Sequence, residues 1–595
     1  MKVLLTALHF ANLRIFEPVI RELAARGHSV VLAADERETF GGYALVQALA
    51  SEYPTVRWVW APLAHEEPWF PVAQKVRFAL DYVRFVHRRY ADAPKLRLRN
   101  ISRAPRMVRW LTSRPAATVG LHVPVQAALQ WTEQHLPVSD RVKNFLQTES
   151  PDVLVLASLT VSRSSAMDQL KAARALGIPT VAAIQSWDHL SSKAPLHIAP
   201  DATLVWNEVQ KQEAVEMHGL SADSVVVTGA QCYDQCFAYQ PSRSRDEFCA
   251  SLGLDPAHPF ILYVCSAMSP VPDPLEPLFV KEWVSALRAS DDLVLRTAGI
   301  LIRPHPERMR EWDGVTLDTI SNVALHGGAP IAGDAKADYF DSLHYSAAVV
   351  GLCTSVFLEA AILGQPVLTL QLPAYRIHQE GMAHFRYLLT VEGGLLDTAH
   401  ELSTHIRQLG AAIRGDAAQE ERRQRFLAAF VRPYGLDDAA TPRFVDAVER
   451  AARQKPSGSV PALSPVASGV VMRLSTAGTH GLGQWLLMDE GDIERVERDR
   501  TTEAAREQRT AERTARQEAK QRKREEVIRR TEEHRQRKRE RQLERVRAKA
   551  ALREEQIQTD DEHERRKRRL HRWRQWRYRL GTMPPVLMLK RGLRR

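Results

Sequence analysis

Short apolar runs alternate with helical apolar stripes along most of the first 455 positions. Residues 3–8 form one such run and predict a buried strand. After a polar loop, Ile15, Val19, Ile20 and Leu23 recur at helical spacing, Gly27 closes that helix, and 29–33 predicts a second strand. This is a βαβ opening. Charged residues follow the first run at once, with no small-residue cleavage site, which argues against a signal peptide. From about 66 to 148 the pattern turns helical, rich in Arg and Trp and broken by Pro94, Pro105, Pro115 and Pro124, and predicts a helical insertion. Alternation then resumes, with strands at 152–157, 180–184, 202–206 and 224–228 and helices at 166–176 and 208–218.

A second set of the same kind follows, with strands at 260–265, 301–304, 323–325, 347–352 and 367–370 and a helix at 355–363. Serial βα units imply parallel sheets covered on both faces, because right-handed crossovers place helices there. The expected fold class is therefore α/β, with two Rossmann-like doubly wound halves. Residues 1–229 make the first half, carrying the insertion, and 230–455 make the second. Ligands of such folds bind beyond the carboxyl ends of the strands, so the site is expected in the cleft between halves.

Residues 456–490 open with a stretch rich in Pro, Ser, Gly and Ala and read as a linker. Residues 492–580 contain no Gly or Pro and are crowded with Arg, Glu, Lys and Gln. Their apolar positions are too sparse to sustain heptads, so 491–580 is expected as a charged helix held by Glu/Arg pairs, with a self-associating coiled coil as the alternative. Residues 581–595 form a basic tail.

Charge changes this picture in one respect. The net charge is +11, but 501–595 hold 32 Lys+Arg against 16 Asp+Glu, which leaves 1–500 at net −5. The basicity belongs to the tail, and the body loses its claim to bind a polyanion. Arg572, Trp573, Arg574, Trp576, Arg577 and Tyr578 interleave cations with aromatics. They suit an anionic membrane surface, a protein contact or a nucleic acid. Five scattered cysteines fit a reducing, cytoplasmic compartment, peripheral to the inner face of the membrane if the tail docks there. No run approaches the roughly 18 apolar residues of a membrane span.

Candidate chemistry gathers after predicted strands. The loop behind the first strand holds His9, Asn12 and Arg14, and a histidine there suits a general base. Arg303-Pro304-His305-Pro306 couples a cation and an imidazole in a stiff turn, both suited to phosphate. Thr354 and Ser355 stand at a helix start. Glu359 lies four positions on, a charge in an otherwise apolar helix, placed to accept ribose hydroxyls. Asp188, in Ser186-Trp187-Asp188-His189, is an acceptor-side candidate with Asn12. No phosphate-cradling glycine loop or dinucleotide fingerprint is present, and Cys232 and Cys236 lack a second pair for zinc, so neither a metal nor a cofactor is expected.

These residues resemble the GT-B glycosyltransferases, the two-Rossmann-half class that uses nucleotide sugars. The likeness lies in the opening βαβ, in Arg303-Pro304-His305-Pro306 and in Thr354-Ser355-x-x-x-Glu359-Ala360-x-x-x-Gly364-x-Pro366. Teichoic-acid glycerophosphotransferases and UDP-N-acetylglucosamine epimerases share it loosely. The resemblance implies His9 as the catalytic base of an inverting enzyme and Arg303, His305, Thr354, Ser355 and Glu359 as donor contacts. The implied partners are a nucleotide-sugar donor and a glycan or lipid-linked acceptor of cell-surface glycan synthesis. Val367 stands where retaining members often have a second glutamate. Leu352-Cys353-Thr354-Ser355 departs from the Asp-Tyr-Ser-Ser of the teichoic-acid enzymes, so CDP-glycerol-type transfer is the runner-up. A non-catalytic GT-B-like scaffold that recruits partners through its tail is the other alternative.

Overall fold

A computed structural model describes residues 1–35, 37, 41–64, 67–113, 120–162, 164–267, 276–317, 320–328, 333–415 and 417–456, together with 469, 473, 544 and 570–575. The chain divides into two units, Met1–Glu494 and Arg495–Arg595.

In the first unit, strands β1 (Lys2–Ala7), β2 (Ser29–Ala34), β3 (Val56–Trp60), β4 (Val153–Leu156), β5 (Thr180–Ala183), β6 (Ala202–Val205) and β7 (Val225–Val227) form one sheet in the order β3-β2-β1-β4-β5-β6-β7. Strands β8 (Phe260–Val264), β9 (Gly299–Arg303), β10 (Val323–Leu325), β11 (Ala348–Gly351), β12 (Val367–Leu370) and β13 (Asp397–Ala399) form a second, ordered β10-β9-β8-β11-β12-β13. Among the described residues every neighbouring pair is parallel, as in Val3 with Val30 and Val153, or Tyr263 with Ile302 and Val350. The chain reverses direction across each sheet beside its first strand, which makes both halves doubly wound. Continuous apolar strands follow from helices on both faces: in β8, Phe260, Ile261, Leu262, Tyr263 and Val264 are all buried.

The insertion after β3 is helical, with Phe70–Arg84, Pro94–Ile101, Arg106–Leu111, His122–His135 and Asp140–Glu149 before β4. Gly177 and Gly219 end the helices Ala166–Leu176 and Glu208–His218 in the left-handed conformation, at φ 69° and 70°, which glycine adopts without a Cβ penalty. The expected boundary at 455 meets a crossover. Helix Ala440–Arg453 leaves the second half and packs Phe444, Val445 and Val448 against Val19, Ile20 and Leu23 of the first. Arg26 grips it through Asp446 at 2.6 Å and Glu449 at 3.2 Å.

His405 is fully buried beside Trp283, with no hydrogen-bond partner for either ring nitrogen among the described residues. Burial drops its pKa to about 3. A histidine depressed on folding contributes stability above its unfolded value near 6.5, and that contribution is lost as the pH falls from there through about 3. His405→Leu is therefore expected to raise the urea midpoint, and by more at pH 5 than at pH 8. An equal change at both would show that His405 is not held neutral.

In the second unit Leu570 to Gln575 is helical, with Trp573 exposed and Arg574 beside it. The expected charged helix or coiled coil over 491–580, and Trp576 and Arg577, otherwise lie outside the described residues. Among those residues no helix is long and apolar enough to cross a membrane.

Candidate active site

His9 follows β1, Asp188 follows β5, His305 follows β9 and Thr354 follows β11, so every candidate lies beyond a strand's carboxyl end. Leu8 N–H donates to Ser158 Oγ at 2.8 Å, fastening the end of β1 to the segment after β4. His9 is half-buried and opens the turn Phe10–Phe16. His9 is the N-cap of that turn, and Asn12 Oδ1 accepts its N–H at 3.4 Å while the Asn12 N–H donates to the His9 carbonyl at 3.0 Å. Asn12 thus has a local task, fixing the backbone that carries His9. Gly42 lies so close to this turn that a Cβ on it would stand 2.0 Å from the Ala11 nitrogen.

Arg303 was expected to face the ligand as an open fork. Instead it is buried, its Nη1 bonded to Asp338 at 2.9 Å and its guanidinium 5.4 Å over the ring of Tyr339. The Tyr339 hydroxyl in turn donates to Glu359. Arg303 stands behind Glu359, one ring removed, and anchors helix Gly333–Tyr345. Asp338 also takes Arg243 at 2.8 Å and His326 at 3.1 Å.

His305 Nδ1 accepts the Glu307 N–H at 3.2 Å, which places the ring proton on Nε2 and makes that atom a donor. Burial lowers the pKa of the ring, and neighbouring Arg308 and Arg14 act in the same direction. Thr354 is half-buried and its Oγ1 accepts the Val356 N–H at 3.3 Å, whereas Ser355 is exposed at the start of the short helix Val356–Ile362. Burial raises the pKa of Glu359, opposed by the Tyr339 hydroxyl and by Arg14.

Arg14 is the residue that the motifs left unassigned. It belongs to the first half, is exposed, and its side chain has no hydrogen-bond or ion-pair partner among the described residues, yet it lies within electrostatic reach of both Glu359 and His305 of the second half. A guanidinium held there without a carboxylate of its own is suited to an anion between the halves.

Asp188 lies elsewhere, where the first half touches the second. Burial works against its ionisation, but Lys193, His189 and His384 hold its carboxyl well below the usual range. Ser192 Oγ donates to its Oδ2 at 3.2 Å, and Arg99 of the insertion acts on it as well. His384 comes from the second half and packs edge-on against Trp187, with centroids 4.7 Å apart. Lys95 of the insertion contacts His378 of the second half and, with Asp188, acts electrostatically on Cys353. The insertion therefore brings cations to this contact between the halves. Only the motif around Asp188 hinted at this region; the arginines of the insertion carried no positional signal. Among the described residues no group of three or more His, Cys, Asp or Glu side chains could hold a metal ion.

No protein-family model matches the chain, and neither does any curated protein. Solved structures similar to it include a glycosyltransferase from Rickettsia africae, 10% identical, covering 76% of this chain and 99% of its own, with a TM-score of 0.44. A UDP-GlcNAc 2-epimerase from Neisseria meningitidis bound to UDP-GlcNAc is 14% identical over 76% of this chain and 100% of its own, at 0.43. A putative UDP-N-acetylglucosamine 2-epimerase from Listeria monocytogenes is 13% identical over 76% and 96%, at 0.44. At such identities and scores the likeness reaches no further than the fold.

Proposed function

We propose that the protein is a nucleotide-sugar-dependent glycosyltransferase acting in the cleft between its two doubly wound halves, with inversion at the anomeric carbon. The observation that carries this reading is that Arg14 of the first half lies within electrostatic reach of Glu359 and His305 of the second, Glu359 on the helix after β11 and His305 in the turn after β9. A diphosphate between them satisfies Arg14 and takes the His305 Nε2–H, with the Thr354 and Ser355 hydroxyls as further donors. Glu359 accepts the ribose hydroxyls while Tyr339 and Arg303 hold its carboxylate in place.

His9 is the base in this scheme. It takes the proton of an acceptor hydroxyl as the oxygen attacks the anomeric carbon; the bond to the diphosphate oxygen breaks and the charge passes to the leaving nucleoside diphosphate. Arg14 and His305 stabilise that charge as it develops, which is where a fixed donor contributes most. Asp188, with its cationic neighbours, faces the acceptor. A lipid-linked acceptor of cell-surface glycan synthesis fits a cleft edged by the basic insertion.

The test is a thermal-shift panel of nucleoside diphosphates on the full chain, since a ligand that binds only the native state raises its melting temperature. At least one diphosphate is expected to stabilise the protein, the matching monophosphate to do less, and Glu359→Ala and Arg14→Ala each to reduce the shift. A panel without effect, or a shift untouched by both variants, would remove the reading.

A further inference from the structure

The helical insertion carries a surface that the transferase reading does not use. Of the large hydrophobic residues exposed among the described positions, Leu98, Met107, Trp110, Leu121, Val123 and Trp131 all belong to it. Trp110 keeps 74% of its surface open and Leu98 56%, areas of apolar ring and chain that a soluble face usually covers. The same segment is the most basic part of the body. Residues 86–113 hold eight Lys and Arg against one Asp, in a body whose first 500 residues are net negative.

The two features meet in one place. Helices Pro94–Ile101 and Arg106–Leu111 enclose a shallow basin of about 460 Å³, walled by Arg97, Arg106 and Arg109 with Trp110 and Tyr82 beside them. Arg97 has no hydrogen-bond or ion-pair partner among the described residues, and Arg103 nearby is exposed. Three guanidiniums around a basin suit a phosphate group, and Trp110 at the basin, with Leu98 and Met107 exposed on the same two helices, suits the boundary between headgroups and acyl chains. Nucleic acid fits less well, since Leu98 and Met107, exposed on the same two helices, offer it no stacking face beside Trp110.

We propose that this face of the insertion docks the protein on an anionic bilayer, with a phosphate-bearing lipid headgroup seated among Arg97, Arg106 and Arg109 and Trp110 entering the interface. The same helix Pro94–Ile101 sends Lys95 and Arg99 to the contact between the halves, so docking sets that contact beside the lipid surface. The inference rests on these residues alone and stands or falls apart from the transferase reading.

Co-sedimentation of the full chain with phosphatidylcholine vesicles, with and without phosphatidylglycerol, tests it. Binding is expected only to the anionic vesicles, and to weaken with salt. The triple change R97Q/R106Q/R109Q should lower the partition coefficient about a hundredfold, and Leu98→Ser with Trp110→Ser should lower it at unchanged charge and unchanged melting temperature. Because Leu98 and Trp110 are exposed, the second variant keeps the test valid if the first fails to fold. In the tail, W573A/R574A/W576A/R577A should leave a difference of the same size between the wild-type and altered insertions. Wild-type binding by both insertion variants, loss of all binding with the tail variant, or retention on single-stranded RNA without binding to vesicles would each overturn the proposal.

Discussion

Replacing Arg77 with leucine is expected to destabilise the first half by about 3–5 kcal/mol. Arg77 lies on helix Phe70–Arg84 of the insertion and spans two carboxylates. It bonds Asp168 on helix Ala166–Leu176 at 2.7 and 2.9 Å, and Glu133 on helix His122–His135 at 3.0 and 3.1 Å. All three side chains are at most 3% exposed. Lys171 closes the network by donating to the carbonyls of Glu133 and Leu136 at 2.9 and 2.8 Å, its own pKa lowered by burial to about 8. Removing the guanidinium strands two buried carboxylates, and that desolvation is the cost. Removing the carboxylates as well removes the penalty, so R77L/E133L/D168L should regain most of the loss. Urea titration followed by circular dichroism reads both. A single variant that loses less than about 1 kcal/mol would place the network in solvent-like surroundings.

That network also explains what the sequence made legible and what it hid. The alternation of apolar runs and amphipathic stripes revealed both sheets, because a strand covered on both faces must be apolar throughout and the next helix must have one wet side. Helices 166–176 and 208–218 match Ala166–Leu176 and Glu208–His218, since a glycine with positive φ marks each end. Two of the four edge strands escaped this logic, whereas β7 and β10, also at edges, fall within the runs at 224–228 and 323–325. β3 reads Val-Arg-Trp-Val-Trp with Arg57 exposed, and β13 is three residues, Asp-Thr-Ala, too short and too polar to register. The crossover of Ala440–Arg453 was hidden for another reason: an apolar stripe says that a helix is covered but not by which sheet.

The candidate site was legible by position and less so by partner. Each motif residue does lie at a strand's carboxyl end, as the doubly wound pattern requires. Arg303 shows what position leaves open. An arginine at that place serves an anion or an internal carboxylate equally well, and the sequence gives no sign that Asp338, 35 residues on, takes its Nη1. Tyr339, which joins Arg303 to Glu359, is invisible without the fold because its helix reads as an ordinary amphipathic segment. Arg14 was in view in the first loop, but the groups it acts on, His305 and Glu359, lie some 300 residues away in sequence.

His9→Ala is expected to lower kcat by roughly 10²–10⁴-fold with the KM for the donor nearly unchanged, the size and pattern of a lost general base. The alanine variant alone is ambiguous, because His9 also occupies the N-cap position of Phe10–Phe16, where alanine is disfavoured by about 0.5–2 kcal/mol and loosens the turn. His9→Asn separates the two roles. Asparagine is a strong N-cap and preserves Phe10–Phe16, but it accepts no proton at neutral pH. Both variants should therefore fall together in kcat, with the melting temperature held by asparagine and reduced by alanine. The acid limb of the pH–rate profile should vanish in each, since the group that must lose its proton is gone. If His9→Asn keeps the wild-type rate and profile, His9 is a cap alone, and the proton of the acceptor goes elsewhere.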